Sequence, residues 1–178
     1  MTRVEYDGLG RPVTLTANYQ DGSYSTTSPD EDVTTVSEYD GLGRVVAVTD
    51  VRDNATRYGY DALGRMISAT VNYSPTVGAN HENEWNVTTL YGYDPLGRRI
   101  AVTDALTHTT IYTYDVAGRL SRMQDARGNV TAYAYDALGQ RTVVTDADGV
   151  AVYSVYDGLG RLVETRDELD NRTLYGYD

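Results

Sequence analysis

The hexapeptide Tyr156-Asp157-Gly158-Leu159-Gly160-Arg161 recurs along the whole chain of 178 residues. Successive copies are 33, 21, 33, 21, 21, 21 and 21 residues apart. A fixed period of this length is typical of stacked repeat units, not of a domain with one central core. We therefore interpret residues 1–178 as a single repeat array. Its copies begin at Tyr6, Tyr39, Tyr60, Tyr93, Tyr114, Tyr135 and Tyr156, with a partial copy at Tyr177.

One 21-residue unit predicts two strands and two turns. Residues 40–43 and 50–54 are rich in Asp, Asn and Gly, which favour turns. Residues 44–49 and 56–60 alternate in polarity with a period of two, as β-strands do. No segment shows the 3.6-residue spacing of a helix. The sequence thus predicts an all-β fold of antiparallel hairpins stacked into a curved or spiralling sheet.

The alternation also suggests which face of the sheet is buried. The second and fourth residues after each motif arginine are mostly apolar, whereas the third is mixed. We expect the apolar positions, such as Ile100, to be buried and the mixed positions, such as Ala101, to face water. Motif tyrosines of neighbouring repeats are expected to form aromatic ladders across the strands.

Two of the seven units are twelve residues longer than the others. Their residues 17–36 and 71–90 align without a gap, and the extra residues lengthen either the turn or the strands. We expect extended loops at about 17–32 and 71–86. Loops on one edge of a repeat protein often carry its binding residues. Tyr73 and Trp85, the only tryptophan, are the candidates for such a role.

Composition excludes several classes of protein. The net charge of −11 and the sequence pI of about 4.5 argue against binding to nucleic acids or acidic membranes. The chain has no cysteine, and no run of 18 apolar residues predicts a membrane span. No signal peptide is visible in the sequence.

Few residues suggest catalysis or metal binding. The two histidines, His81 and His108, occupy unlike positions, and the abundant carboxylates recur with the repeat as turn residues do. Asp146-Ala147-Asp148-Gly149 resembles the start of a calcium loop but lacks the downstream glutamate. The sequence therefore predicts no catalytic residue, no metal site, no cofactor and no enzymatic activity.

The motif Tyr-Asp-x-x-Gly-Arg at 21-residue spacing resembles the YD repeat of the Rhs family, which includes bacterial polymorphic toxins, shell components of insecticidal toxin complexes, and teneurins. Six copies are complete, and Gln140 replaces arginine in the copy at Tyr135. The resemblance implies a β-sheet shell that encloses or displays a toxin or other polypeptide. It also implies a non-enzymatic structural segment of a larger protein that is secreted or lies at the cell surface.

The candidate structural residues are those of the motif. Each arginine recurs near an aspartate and is expected to neutralise it, so that the pairs join neighbouring repeats laterally. The residues are Tyr39, Asp40, Gly43, Arg44, Tyr60, Asp61, Gly64, Arg65, Tyr93, Asp94, Gly97, Arg98, Tyr114, Asp115, Gly118, Arg119, Tyr135, Asp136, Gly139, Tyr156, Asp157, Gly160 and Arg161.

Two further interactions remain open. The extended loops and tyrosine columns suit a carbohydrate-binding or cell-surface-binding module as an alternative function. The outermost strands, near Val4 and Tyr6 at one edge and near Tyr175 and Tyr177 at the other, lack protective residues. They predict edge-to-edge self-association in the register that relates Tyr156 to Tyr177.

Overall fold

A computed structural model describes residues 1–21, 23, 26–27, 31–75 and 85–178. These residues form fifteen β-strands and no helix, which confirms the all-β prediction. The strands are β1 (Arg3–Tyr6), β2 (Pro12–Ala17), β3 (Val33–Tyr39), β4 (Val45–Thr49), β5 (Ala55–Tyr60), β6 (Met66–Val71), β7 (Val87–Tyr93), β8 (Arg99–Thr103), β9 (Thr109–Tyr114), β10 (Leu120–Gln124), β11 (Val130–Tyr135), β12 (Arg141–Thr145), β13 (Ala151–Tyr156), β14 (Leu162–Arg166) and β15 (Arg172–Leu174).

The strands follow one another in chain order within an antiparallel sheet. The chain divides into two compact units, Met1–Tyr91 and Gly92–Asp178. In each unit the even-numbered strands follow a motif arginine, and we call them outgoing strands. The odd-numbered strands lead back to a motif tyrosine, and we call them return strands.

This alternation corrects one expected register. Outgoing strand β14 lies between Tyr156, at the end of β13, and Tyr177. Tyr156 and Tyr177 are therefore not on adjacent strands, and pairing β15 of one copy with β1 of another would place two return strands side by side. Self-association through the strand edges stays a prediction, but it cannot use the register expected from the sequence.

A β-bulge opens the outgoing strands β2, β4, β6, β10, β12 and β14. Tyr60 pairs with Met66 and Gly59 pairs with Ser68, so Ile67 is an extra residue without a cross-strand partner position. The same shift recurs where β1, β3, β9, β11 and β13 meet the next strand. One extra residue reverses the alternation that follows it.

The predicted assignment of faces is wrong: Ile67, an apolar second-position residue expected to be buried, lies in a bulge and is 39% exposed. Ile100, expected to be buried, is 36% exposed, whereas Ala47, at the position expected to face water, is 2% exposed. Buried apolar residues in the described part of the chain are only Ala47 and Ala151. Large apolar residues are exposed on both faces, as Leu15 and Val36 illustrate on β2 and β3. Each unit is thus a single sheet layer without a large apolar core.

The two long units carry most of their extra residues in the loop, and each of the two flanking strands is one residue longer than its counterpart in the short units. The Asp32 backbone N–H donates to the Asn18 carbonyl oxygen at 3.3 Å, and that of Asn86 donates to the Asn72 carbonyl oxygen at 3.0 Å. All four residues have φ between 49° and 54°. These matching pairs close the base of each extended loop directly beyond the strand ends.

Candidate functional site

The motif aspartate builds a five-residue turn. One carboxylate oxygen of Asp115, Oδ1, accepts hydrogen bonds from the backbone N–H groups of Ala117 and Arg119, each at 2.9 Å. The Asp115 N–H donates to the Arg119 carbonyl at 2.8 Å, and the Gly118 N–H donates to the Asp115 carbonyl at 3.0 Å. Gly118 has φ of 82°, a left-handed conformation that favours glycine. This geometry explains why Asp and Gly recur at this spacing.

The motif arginine connects its own repeat to the next one. Arg119 Nε donates to Asp115 Oδ2 at 2.7 Å, and its guanidinium carbon lies 4.7 Å from the centre of the Tyr135 ring. Its Nη1 donates to the Asp136 carbonyl oxygen at 2.9 Å. The Tyr135 hydroxyl in turn donates to the Leu120 carbonyl oxygen at 2.8 Å. We call this arrangement of arginine, tyrosine and main-chain carbonyls the inter-repeat contact.

The inter-repeat contact recurs along both units. In four further pairs the guanidinium carbon lies between 4.6 and 4.8 Å from the centre of the next motif tyrosine ring. Those pairs are Arg11 with Tyr39, Arg44 with Tyr60, Arg98 with Tyr114, and Arg161 with Tyr177. Their tyrosine hydroxyls donate to the carbonyls of Pro12, Val45, Arg99 and Leu162 at 2.7 to 2.8 Å.

Gln140 changes the contact at one repeat. The Tyr156 hydroxyl still donates to the Arg141 carbonyl oxygen at 3.0 Å. A glutamine carries no cation, so Tyr156 cannot receive a guanidinium from position 140. Asp136 retains the two backbone hydrogen bonds to its Oδ1, from Leu138 and Gln140. The turn therefore forms without the arginine, and what the substitution removes is the charged link to the next repeat.

Two expectations about the motif need correction. The aspartate and arginine of each pair lie in the same turn, four residues apart, so the ion pair itself does not join repeats. The lateral link is made by the hydrogen bond from the arginine Nη1 to a carbonyl of the next repeat and by the contact of the guanidinium with the next tyrosine ring. The tyrosines do not stack on one another as a ladder, because an outgoing strand separates successive return strands, and a guanidinium lies over the ring instead.

The hydrogen bonds of the turn lower the pKa of the motif aspartates. For Asp115 the Arg119 backbone N–H is the largest cause, and the Arg119 side chain adds to it. The pKa values of Asp7, Asp40, Asp61, Asp94 and Asp157 are lowered in the same direction. These carboxylates are therefore ionised acceptors at neutral pH and are poorly suited to act as general acids.

The turns at the other edge of the sheet use the same geometry. Asp125 Oδ1 accepts from the backbone N–H groups of Arg127 and Asn129, and its Oδ2 accepts from Asn129 Nδ2 at 2.7 Å. His108 takes the asparagine position and pairs through Nδ1 with Asp104 Oδ2 at 3.0 Å, as its sequence position predicts. The sequence analysis missed that both turns are alike, although an aspartate precedes each asparagine by four residues.

The two candidate loop residues lie in different surroundings. The Tyr73 N–H donates to the Ala55 carbonyl oxygen at 2.8 Å, and the Arg57 guanidinium lies 4.4 Å from the Tyr73 ring centre. Trp85 is exposed and directly precedes the segment that leads into β7. Residues 22, 24–25, 28–30 and 76–84, including His81, lie outside the described residues. Glycan binding by Tyr73 and Trp85 stays a prediction.

Asp32 and Asn86 hold the bases of the two extended loops. Asp32 is 2% exposed, and its carboxylate accepts from the backbone N–H groups of Gln20 at 2.9 Å and Asp21 at 3.2 Å. Asn86 Oδ1 accepts from the Ser74 N–H at 2.9 Å. An acceptor at this position therefore fixes the start of each loop to its end.

Beyond the motif, the described ranges include a surface concavity but no cluster of metal-ligating side chains. No group of three or more His, Cys, Asp or Glu residues there could hold a metal ion. The calcium-like Asp146 instead accepts from the backbone N–H groups of Asp148 and Val150 through Oδ1. A surface concavity of about 260 Å³ is bordered by Thr165, Asp167 and Arg172, without a histidine or cysteine. No helix among the described residues is long and apolar enough to cross a membrane.

Comparison with known families identifies the repeat. The model of the RHS repeat matches residues 39–73, 93–130 and 114–151, which together cover just over half of the chain. The chain belongs to the RHS repeat family. This agrees with the resemblance that the motif spacing indicates. A search of curated proteins found no match.

Solved structures share the fold of this RHS repeat chain. It is similar to the crystal structure of TcdB2-TccC3, with 17% identity and a TM-score of 0.74 over 99% of this chain and 11% of that chain. For TcdB2-TccC3-Cdc42 the identity is 18% and the TM-score is 0.72, over 92% of this chain and 9% of that chain. For the pore of the Photorhabdus luminescens Tc holotoxin the identity is 17% and the TM-score is 0.52, over 97% of this chain and 11% of that chain. The chain thus spans about a tenth of the length of these structures.

Proposed function

We propose that this RHS repeat segment is a structural, non-enzymatic part of a larger protein, in which it forms wall of a β-sheet shell. The observation that carries the proposal is the inter-repeat contact. It uses the Tyr135 hydroxyl and ring, the Arg119 guanidinium and the Asp115 carboxylate within the sheet itself. The polar groups of the motif thus bind their own turn or the neighbouring repeat, which supports a structural role.

The similarity to toxin-complex structures supports the same function. The compared chains are components of Tc toxins and are about ten times longer than this one. A repeat that joins its neighbours laterally can extend a sheet indefinitely, which a shell wall requires. The role of the parent protein would then be to enclose or display another polypeptide, such as a toxin.

The exposed faces of the sheet support a polypeptide partner. A single layer leaves large apolar residues on both faces in contact with solvent, for example Leu15 and Val36. Exposed apolar surface of this kind commonly marks a site of protein contact. In a shell, one face would meet the enclosed chain. The proposed setting is a secreted or cell-surface protein, and the net charge of −11 would keep such a protein soluble.

Limited proteolysis of the full-length gene product tests the proposal. If the wall encloses a polypeptide, a non-repeat segment should resist protease in the intact protein and become sensitive once the inter-repeat contacts are weakened by Arg44→Gln and Arg119→Gln together. The matched control is Asn54→Ala with Asn129→Ala, which alters turns at the other edge. A gene product whose non-repeat segments are equally sensitive with and without the arginines would refute enclosure.

A further inference from the structure

The edge of the sheet that carries the motif turns is lined with exposed leucines. Each unit contributes three of them, and all are between 76% and 82% exposed. They occupy the third position after the motif tyrosine and are Leu9, Leu42 and Leu63 in the first unit, and Leu96, Leu138 and Leu159 in the second. We call this edge the leucine edge. The only other residue at this position is Ala117.

The turn does not need a leucine at its tip. At the opposite edge the same five-residue turn forms with Arg52, Arg127 or Asp148 at the equivalent position. Leu106 and Leu169 also occur there, so the position accepts charged and apolar residues alike. Leucine nevertheless occupies this position in six of the seven motif turns and in two of these five opposite turns, a difference that the turn geometry does not explain.

Charge separates the two edges as well. None of the residues between the aspartate and the last position of the seven motif turns is charged or polar. The turns of the opposite edge contain Arg52, Asp53, Arg127, Asp148 and Glu168 at the corresponding places. In the motif turns the aspartate is also neutralised by its arginine in six of seven copies. Within each unit the leucine edge therefore carries less charge than the opposite edge.

We propose that the leucine edge docks against the leucine edge of a second RHS repeat array, here a second copy of this chain. Two acidic copies repel each other least along the edge that carries less charge. The same patch would be used on both copies, which gives a two-fold dimer and not a fibre. The contact does not depend on whether the sheet encloses another polypeptide.

The spacing of the leucines favours a partner with the same period. Neighbouring motif turns are two strands apart, or about 9.6 Å at about 4.8 Å per strand. A leucine of the partner that enters midway would lie about 4.8 Å from each neighbour, close to the distance of apolar contact. A helix with one leucine per seven residues repeats every ~10.5 Å and would lose this register within a few turns.

Sedimentation velocity over a concentration series tests the contact. We expect the chain to be a reversible dimer. Leu63→Asp combined with Leu138→Asp, one substitution in each unit, should raise the dissociation constant by at least about tenfold, because each leucine leaves apolar surroundings and gains a charge. The matched control is Leu106→Asp combined with Leu169→Asp, which adds the same charge to equivalent turns of the opposite edge and should leave the dissociation constant unchanged.

Several outcomes would overturn the proposal. A wild-type chain that stays monomeric at every concentration has no such contact. Equal weakening by both variant pairs would indicate a charge effect. Association abolished by Tyr177→Pro and not by the leucine substitutions would assign the contact to the strand edge. A monomer that co-sediments with phosphatidylcholine vesicles through Leu63 and Leu138 would show that the leucines bind a lipid surface instead.

Discussion

The two edges of the sheet use one turn for two purposes. At both edges an aspartate accepts hydrogen bonds from the backbone N–H groups two and four residues later. At both edges the fourth residue of the five-residue turn has positive φ. At the motif edge the last residue is arginine, which reaches the next repeat. At the opposite edge it is asparagine in Asn54, Asn129 and Asn171, whose amide group reaches only its own aspartate.

The difference shows which part of the motif is local and which is lateral. Aspartate and a left-handed residue suffice to reverse the chain, because both edges have them. Arginine and tyrosine are needed only where one repeat binds the next. The lateral contact that recurs with the repeat therefore lies at the motif edge, whereas the opposite edge carries the insertions. Both extended loops lie at that opposite edge.

Acid should have the largest effect, because it acts on turns of both edges together. A lowered pKa in the folded state means that the aspartate contributes stability above its unfolded pKa, near 3.8, and that this stability is lost as pH falls through the folded value. We expect the thermal midpoint to be steady above about pH 5 and to fall steeply below the ordinary aspartate value of 3.8. Circular dichroism melts at a series of pH values measure this.

Salt should change the pKa values of the aspartates at the two edges by different amounts. In Asp115 the Arg119 guanidinium lowers the pKa by both a hydrogen bond and its charge, whereas in Asp125 the neutral Asn129 side chain is the largest cause and the charge of Arg127 is the smallest. In high salt the pKa of Asp115, followed by carbon-detected NMR, should rise more than that of Asp125. Equal responses would show that the arginine does not influence its aspartate.

Removing one arginine should have the next largest effect. Arg119→Gln loses the ion pair, the contact with the Tyr135 ring and the hydrogen bond to the Asp136 carbonyl. We expect the free energy of unfolding to fall by about 2 kcal/mol. Asn129→Ala, the matched change at the opposite edge, should cost about 0.5–1 kcal/mol. Urea denaturation measures both, and a larger cost for Asn129→Ala would reverse the proposed roles of the edges.

Substitutions at the turn residue with positive φ should have smaller effects on stability, of opposite sign at the two edges. Gly118→Ala at φ of 82° should destabilise by about 1–2 kcal/mol. The cost is conformational, since a methyl group on Gly118 would meet only Arg98 Nη1 at 3.8 Å. Thr107 occupies the equivalent position of the opposite edge at φ of 68°, so Thr107→Gly should stabilise by about 0.5–1 kcal/mol. Destabilisation by Thr107→Gly would contradict the equivalence of the two turns.

Restoring the missing arginine should have the smallest effect. Gln140→Arg places a cation where it can bind the Tyr156 ring and Asp136, as Arg119 binds Tyr135 and Asp115. We expect a gain of about 0.5 kcal/mol and slower hydrogen exchange at the end of β13. Gln124→Arg, on the same sheet but outside the motif, is the control and should bring neither change.

The sequence predicted the fold well because the repeat leaves few alternatives. A period of 21 residues with two turn segments and two alternating segments allows little besides a stack of hairpins. The strands and turns of the Tyr39 to Tyr60 unit were predicted to within about a residue at their ends. His108 as a turn residue could also be predicted, because it stands where the other repeats have Asn129 and Asn171.

The buried face and the lateral contact could not be predicted from one chain. Counting alternate residues fails at Ile67, where the bulge adds a residue that no composition rule reveals. The partner of each arginine depends on which strands are adjacent, so Asp115 could be expected as a neighbour of Arg119 but the Tyr135 ring could not. The sequence also could not show whether the twelve extra residues lengthen the turn or the strands; the strand bounds place most of them in the loop and one in each flanking strand.

A double-mutant cycle on Arg119 and Tyr135 tests most directly whether the motif arginine joins one repeat to the next. The free energies of unfolding of the wild type, Arg119→Gln, Tyr135→Leu and the double variant are measured by urea denaturation. The contact of the guanidinium with the ring at 4.7 Å predicts a coupling energy of about 1 kcal/mol. Additive effects, with a coupling energy below about 0.3 kcal/mol, would contradict the lateral role of the arginine.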